Sequence, residues 1–283
     1  MFIDAGTPGA GVSVLTDVAA SGVSVGGESG VPTRFTPAVG MTPFAGFPWA
    51  VGMATSISDD GNWVAGNMGD CTTCTARAFR HDMAVGGWLD LGVEINQGSA
   101  NSRARDVNAN GDVVGTAQGM ASGGNPNHAF LWTEAQGAMD LNDRLQVGTG
   151  WELTDATAIT DDGRIVADGF YQGVQRACLL VPVRLDVQTS SAGVATATTA
   201  AAEPLLPVFV VYGNSAGTTQ VPGFPGVEVG IHQPKIAGSS DADALGNASF
   251  SKNLPSGAFG RTFLVQAVQP LGWLVSQVLQ VTF

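Results

Sequence analysis

Four oxygen-bearing side chains occupy alternate positions in one short stretch: Asp106, Asn108, Asn110 and Asp112, with Gly111 among them. This D-x-N-x-N-G-D spacing can wrap a hard cation, so Ca²⁺ is the chemistry it offers. A calcium loop adds a bidentate Glu at its twelfth position, and here that place is Ala117. The competing reading is a tight hairpin turn, because Asn, Asp and Gly are turn-forming residues. Degraded copies at Ser56, Ser58, Asp60 and Asn62, and at Ala158, Thr160, Asp162 and Arg164, favour the turn. Asp241-Ala-Asp243 ahead of Gly246 is read the same way. Calcium at the first set is the only cofactor the sequence offers.

Cys71-Thr-Thr-Cys74 is the second candidate. A redox C-x-x-C needs a βαβ setting, which the sequence lacks. A zinc site needs four ligands, and only His81 is near. A local disulfide between Cys71 and Cys74 is the favoured reading, and it fits an oxidising compartment. Cys178 reads as a small buried apolar residue.

Catalytic constellations are not found. His81, His128 and His232 are scattered, and Asp59-Asp60 and Asp161-Asp162 fall on equivalent turns. There is no Gly-x-Ser-x-Gly elbow, Walker loop or H-E-x-x-H. No catalytic residue is expected, and the chain reads as a non-enzyme.

The candidate turns belong to a repeat. Aligned on Gly22, Gly61, Gly111 and Gly163, the copies are spaced by 39, 50 and 52 residues. That range marks repeated supersecondary units. Four residues before each glycine stands Val18, Ile57, Val107 or Ile159. A return strand follows: Val23–Gly26, Asn62–Ala65, Asp112–Gly115, Arg164–Ala167. A third strand ends a variable loop at Thr33–Phe35, Arg77–Phe79, His128–Trp132 and Arg176–Leu180. A fourth element is Trp88–Gly92 or Ala138–Asn142, with a weaker version at Pro43–Gly46. The last repeat lacks it, while Phe2-Ile-Asp-Ala-Gly6 carries that pattern and could complete the last sheet.

These motifs resemble the HAF family of extracellular repeats, patterned as A-x-x-I-N-x-x-G-x-V-V-G, then H-A-F-x-W, then D-L-G. The third repeat matches best, with His128-Ala-Phe130 and Trp132. The resemblance covers about residues 2 to 183 and implies propeller-like four-stranded blades. Four blades is at the low end for a propeller, so a missing portion, an open arc or completion by another subunit are all open.

From Arg184 the repeat stops and short strands recur between turn signals. The expected strands are Leu185–Gln188, Val194–Thr199, Leu206–Tyr212, Val227–Ile231, Ala248–Ser251, Thr262–Val268 and Val275–Phe283, with a Thr/Ala linker the alternative for the stretch from Val194. Such a series implies a β-sandwich. The run from Ala242 resembles C-terminal immunoglobulin-like modules of secreted bacterial proteins. The resemblance implies adhesion, attachment or assembly.

Composition agrees with an all-β chain: 39 of 283 residues are Gly and only 13% are charged. A net charge of −12, with Lys235 and Lys252 the only lysines, repels nucleic acid and anionic membrane surfaces. The longest apolar run, Leu205 to Tyr212, is broken by Pro207 and is far short of the ~20 residues that span a bilayer. The start shows no basic n-region or apolar h-region, so no signal peptide is visible.

The expectation is an all-β protein: a four-repeat β-propeller or propeller-like arc over 1–183, then a β-sandwich over 184–283. The expected role is a secreted or cell-surface structural or binding module that self-associates. Rival readings are a glycan-binding lectin, using loop residues such as Trp49 or Trp88, and a hydrolase with a site at the propeller axis.

Overall fold

The computed structural model describes residues 12–70, 75–94, 101–118, 127–134, 136–145, 150–190, 192–200, 202, 204–224, 227–270 and 274–283. The chain divides into two compact units, Met1–Leu180 and Val181–Phe283.

The first unit is a series of up-and-down antiparallel sheets, one per repeat. Blade 1 is β1 (Ser13–Val18), β2 (Ser24–Glu28), β3 (Val31–Thr36) and β4 (Gly40–Pro43). Blade 2 is β5 (Val51–Ile57), β6 (Trp63–Asp70), β7 (Thr75–Asp82) and β8 (Trp88–Asp90). Blade 3 is β9 (Ser102–Val107), β10 (Val113–Gln118), β11 (Asn127–Thr133) and β12 (Gly137–Asp140). Blade 4 has β13 (Trp151–Ile159), β14 (Ile165–Tyr171) and β15 (Val174–Leu180) among the described residues. The segment Phe2–Gly6, expected to complete it, lies outside those residues.

Each β1-type strand turns at a glycine whose φ lies near +80°: Gly22, Gly61, Gly111 and Gly163. Glycine is favoured there because a Cβ strains the left-handed region. Each such strand also carries a bulge six residues before its glycine, at Thr16, Thr55, Arg105 or Thr157, and β13 has a second at Thr154. The bulge drives a carbonyl over the facing strand. A Cβ on Gly115 would stand 2.0 Å from the Arg103 oxygen and 2.9 Å from the Phe130 ring, so only glycine fits.

Register corrects two details of the sequence alignment. Ile57 pairs with Val64, whereas Val107 pairs with Val113 and Ile159 with Ile165. The second turn is therefore one residue longer: Ser58 N donates to Trp63 O, where Asn108 N donates to Asp112 O. In blade 1, Thr33 rather than Phe35 takes the place of Phe79 and Phe130, because it is Thr33 that faces Gly26. The weaker fourth element is a true equivalent: Phe44, Leu91 and Leu141 are all buried one residue past the paired Pro43, Asp90 and Asp140.

Hydrophobic clusters lie between successive blades. Val25 and Phe44 of blade 1 meet Ala54, Ile57 and Val64 of blade 2. Ala65, Ala78 and Leu91 of blade 2 meet Ala104, Val107 and Val113 of blade 3. Val114, Ala129 and Leu141 of blade 3 meet Ala156, Ile159 and Ile165 of blade 4. Each blade thus has a front, toward its predecessor, and a back, toward its successor. The result is a propeller-like arc, in which no blade buries its apolar residues alone.

The second unit is a sandwich. One sheet is β16 (Arg184–Thr189), β17 (Val194–Ala200) and β22 (Ala248–Asn253). The other is β21 (Lys235–Asp241), β18 (Pro207–Gly213), β23 (Thr262–Gln269) and β24 (Leu274–Val275), with β25 (Leu279–Thr282) also on β23. Their inner faces share Leu185, Ala197, Val208, Val210, Val265 and Ala267. A hairpin of β19 (Ala216–Gln220) and β20 (Glu228–Ile231) packs Val229 and Ile231 against Val211 and Val268 on the far side.

Two strands here go beyond the sequence expectation. β19 begins where turn residues Asn214 to Gly217 stand, and β21 contains the glycine Gly238, a weak strand former. The Cβ that Gly238 lacks would stand 2.0 Å from the Phe250 ring, so the glycine serves close packing inside a strand. The terminal segment Val275–Phe283 is interrupted: Ser276 breaks from the ladder and its Oγ accepts from Ala267 N.

Candidate functional site

The most constructed feature of the first unit is the seam between blades, built from residues five and six before each turn glycine. The bulge turns one side chain toward the next blade. Thr16 Oγ1 donates to Ala54 O at 2.9 Å, and Thr55 Oγ1 donates to Ala104 O at 3.1 Å. Arg105, the third bulge residue, forms an ion pair with Asp155 at 2.7 Å.

The neighbouring position carries Asp17, Ser56, Asp106 and Ala158 in blades 1 to 4. Asp17 Oδ2 accepts from Ser56 Oγ and from Ile57 N, both at 2.9 Å. Ser56 Oγ also lies 2.6 Å from Asp106 Oδ1, and Asp106 Oδ2 accepts from Ile159 N at 2.8 Å. One chain of polar contacts therefore runs through the inner strands of all four blades. It ends at Ala158, whose side chain has no polar atom to extend it.

The proposed calcium residues are part of this seam. Besides those bonds, Asp106 Oδ1 accepts from Val107 N at 2.8 Å. Asn108 Oδ1 accepts from Asn110 N and Asp112 N, closing the turn. Asn108 Nδ2 donates to Thr160 O and Asn110 Nδ2 to Asp161 O, both on blade 4. Burial pushes the Asp112 carboxyl above its usual range, opposed by hydrogen bonds from Asn108 and Asn110 and by the Arg80 charge. The side-chain oxygens serve the hairpin and the next blade. No group of three or more His, Cys, Asp or Glu able to hold a metal occurs among the described residues.

The turn carboxylates behave likewise. Asp60 accepts from Ser58 Oγ at 2.6 Å and from Asn62 N, and these bonds hold its carboxyl below the usual value. Cys71 and Cys74 lie outside the described residues. Cys178 is a half-buried free thiol, raised by burial and then by the Asp168 charge.

Each histidine in this unit has a structural setting. His128 Nδ1 lies 2.6 Å from Asp140 Oδ2, while Asn142 bonds Asp140 and both backbone polar atoms of Leu153. His81 stacks on Trp88 at 4.0 Å, and burial lowers its pKa against the opposing effects of Gly87 O and Asp82. Trp49 and Trp88 both pack into an aromatic cluster with Phe47 and Phe79. Sequence reasoning missed Arg80, whose buried guanidinium lies 4.2 Å from the Trp63 ring and 4.5 Å from the Trp132 ring. It also donates to Gly111 O, at the turn of the next blade.

Among the described residues, the arc has two exposed apolar faces. In front, Ile57, Val107 and Ile159 are at most 8% exposed, but their blade 1 equivalent, Val18, is 55% exposed. Leu15 is exposed where Ala54, Ala104 and Ala156 are buried. The opening is confined to the inner strand, since Thr33 and Phe35 on β3 are buried. At the back, Val166 is 40% exposed where Val25, Ala65 and Val114 are fully buried. Leu179 and Phe170 extend that exposed apolar surface.

No family model matches the chain, and no curated protein matches it. Among solved structures, a putative TolB from Agrobacterium tumefaciens aligns over 88% of this chain and 92% of its own, at 7% identity and a TM-score of 0.31. The blade reading rests on the sheets of this chain. What they define is a class: an all-β protein with consecutive propeller-type blades followed by a sandwich.

Proposed function

We propose that this protein is a secreted or cell-surface, non-enzymatic structural module that assembles with copies of itself. The observation that carries the reading is the pair of open ends. Leu15 and Val18 stand where every other blade receives its predecessor, and Val166 and Leu179 where every other blade receives its successor. The two faces are halves of one interface that the chain forms three times internally. The occupant that fits each is the opposite end of a second copy.

Such contact is head-to-tail, and it gives a closed ring or an open filament depending on the rotation per step. Thr157 supports it. Its hydroxyl bonds Val166 O within its own blade, as Thr16 and Thr55 bond Val25 O and Ala65 O, but those two also reach the following blade. The resemblance to immunoglobulin-like modules of secreted proteins adds the extracellular setting. Trp49 and Trp88 are engaged in their own cluster, so these two rings do not favour the glycan reading.

Light scattering after size exclusion tests this over a concentration series. The expected result is species larger than one chain at high concentration. Val18→Asp and Leu179→Asp should each reduce the protein to monomer, because each closes one end. Mixed, the two variants should yield dimers that grow no further, since one intact front and one intact back remain. A wild-type monomer at all concentrations overturns the reading.

A further inference from the structure

The sandwich holds a cavity of about 530 Å³ that its own side chains do not fill. The cause is legible in β17, where Val194-Ala-Thr-Ala-Thr-Thr-Ala alternates. The threonines at 196 and 198 point outward, and Ala195 and Ala197 point in, facing Ala237 across the gap. Small residues on both sheets keep apart two surfaces that larger ones would join. The buried floor is Ala197, Val210 and Val265, and the walls are Tyr212, Phe250 and Phe263.

The rim differs from the floor in a directed way. Lys235 and Lys252, the chain's only lysines, both line it, together with Arg261. These are three of the four Lys and Arg residues of the second unit. None of that unit's Asp or Glu side chains lines the cavity, in a chain of net charge −12. The Lys252 ammonium donates to Ala237 O at 2.9 Å, which holds it across the mouth with N–H groups to spare. His232 stands on the same rim.

We infer that this cavity is a binding site for an amphipathic anion: an acyl or aryl body with one carboxylate, the body between the sheets and the carboxylate on Lys235, Lys252 and Arg261. The volume falls within the roughly 300–1,000 Å³ of small-molecule sites, and an apolar slot with a few placed polar groups is their usual make-up. Charge-assisted hydrogen bonds from ammonium and guanidinium groups supply the selection for an anionic head. This site is independent of blade-to-blade assembly.

The test is titration calorimetry on the full chain with dodecanoate, below its micelle concentration, against dodecanol and dodecyltrimethylammonium. Dodecanoate should bind about tenfold or more tighter than either comparator. Lys235→Gln with Lys252→Gln should remove most of that preference while leaving the dodecanol affinity unchanged; both positions are exposed, so the fold should persist. Ala197→Phe, checked for folding by circular dichroism, should abolish binding of all three. Equal affinity for anion and cation, an unaffected lysine variant, or no dodecanoate binding each overturns the proposal. Self-association should be untouched by these variants.

Discussion

Ser56 Oγ lies 2.6 Å from Asp106 Oδ1, although fifty residues separate the two along the chain. The same hydroxyl lies 2.9 Å from Asp17 Oδ2. A serine hydroxyl has one hydrogen, so it donates to one carboxylate at a time and couples blades 1, 2 and 3 through a single atom.

Asp106→Ala should destabilise the first unit by about 2–3 kcal/mol, because it strips a charged acceptor from Ile159 N, Val107 N and Ser56 Oγ together. Asp106→Asn should cost less, since one oxygen still accepts. Urea denaturation followed by tryptophan fluorescence measures both. Equal stability of wild type and Asp106→Ala would show that the seam contributes nothing.

Arg80→Met should cost about 2 kcal/mol. It removes the cation between Trp63 and Trp132 and the bond to Gly111 O. Arg80→Lys should recover only part of this, because an ammonium lacks the planar face and fork. The midpoint of thermal unfolding reads the difference, and a fully rescuing lysine would contradict the stacking role.

His81 gives a pH dependence with a definite sign. Its folded pKa is lowered from 6.5, chiefly by burial, so the unfolded chain binds the proton more readily. Its contribution to stability is present above pH 6.5, is lost as pH falls from there through the folded value, and is constant below it. His81→Phe, which keeps a ring against Trp88, should flatten that part of the stability curve. Unfolding midpoints between pH 8 and 5 for the two proteins check it.

Calcium should leave the unfolding midpoint unchanged, and chelator likewise. The oxygens of Asp106 and Asn108 that could take the ion already serve backbone N–H groups, and Asn110 reaches to the next blade. A rise in the midpoint with Ca²⁺ that Asp112→Asn removes would instead support the metal reading.

The repeats were legible because their causes are local. A glycine that must hold positive φ, a β-branched residue four before it and a return strand carrying Val25, Val64, Val114 or Val166 after it are set by neighbours in the chain. The buried leucine of the fourth element could be read from Leu91 and Leu141 for the same reason. The extra residue in the second turn could not, because alignment on Gly61 hides a shift that appears only when Ile57 pairs with Val64.

What the chain by itself determined is the supply of parts: four glycine-cornered hairpins, a series of short strands after Arg184, and an alternating Ala/Thr stretch. Tertiary structure alone decided that Asp17, Ser56 and Asp106 meet, that Val18 and Leu179 are left bare, and that two lysines ring one cavity. The reason is physical. A strand's pattern states which of its faces is apolar, but the partner for that face comes from sheets dozens of residues away, and only packing selects it.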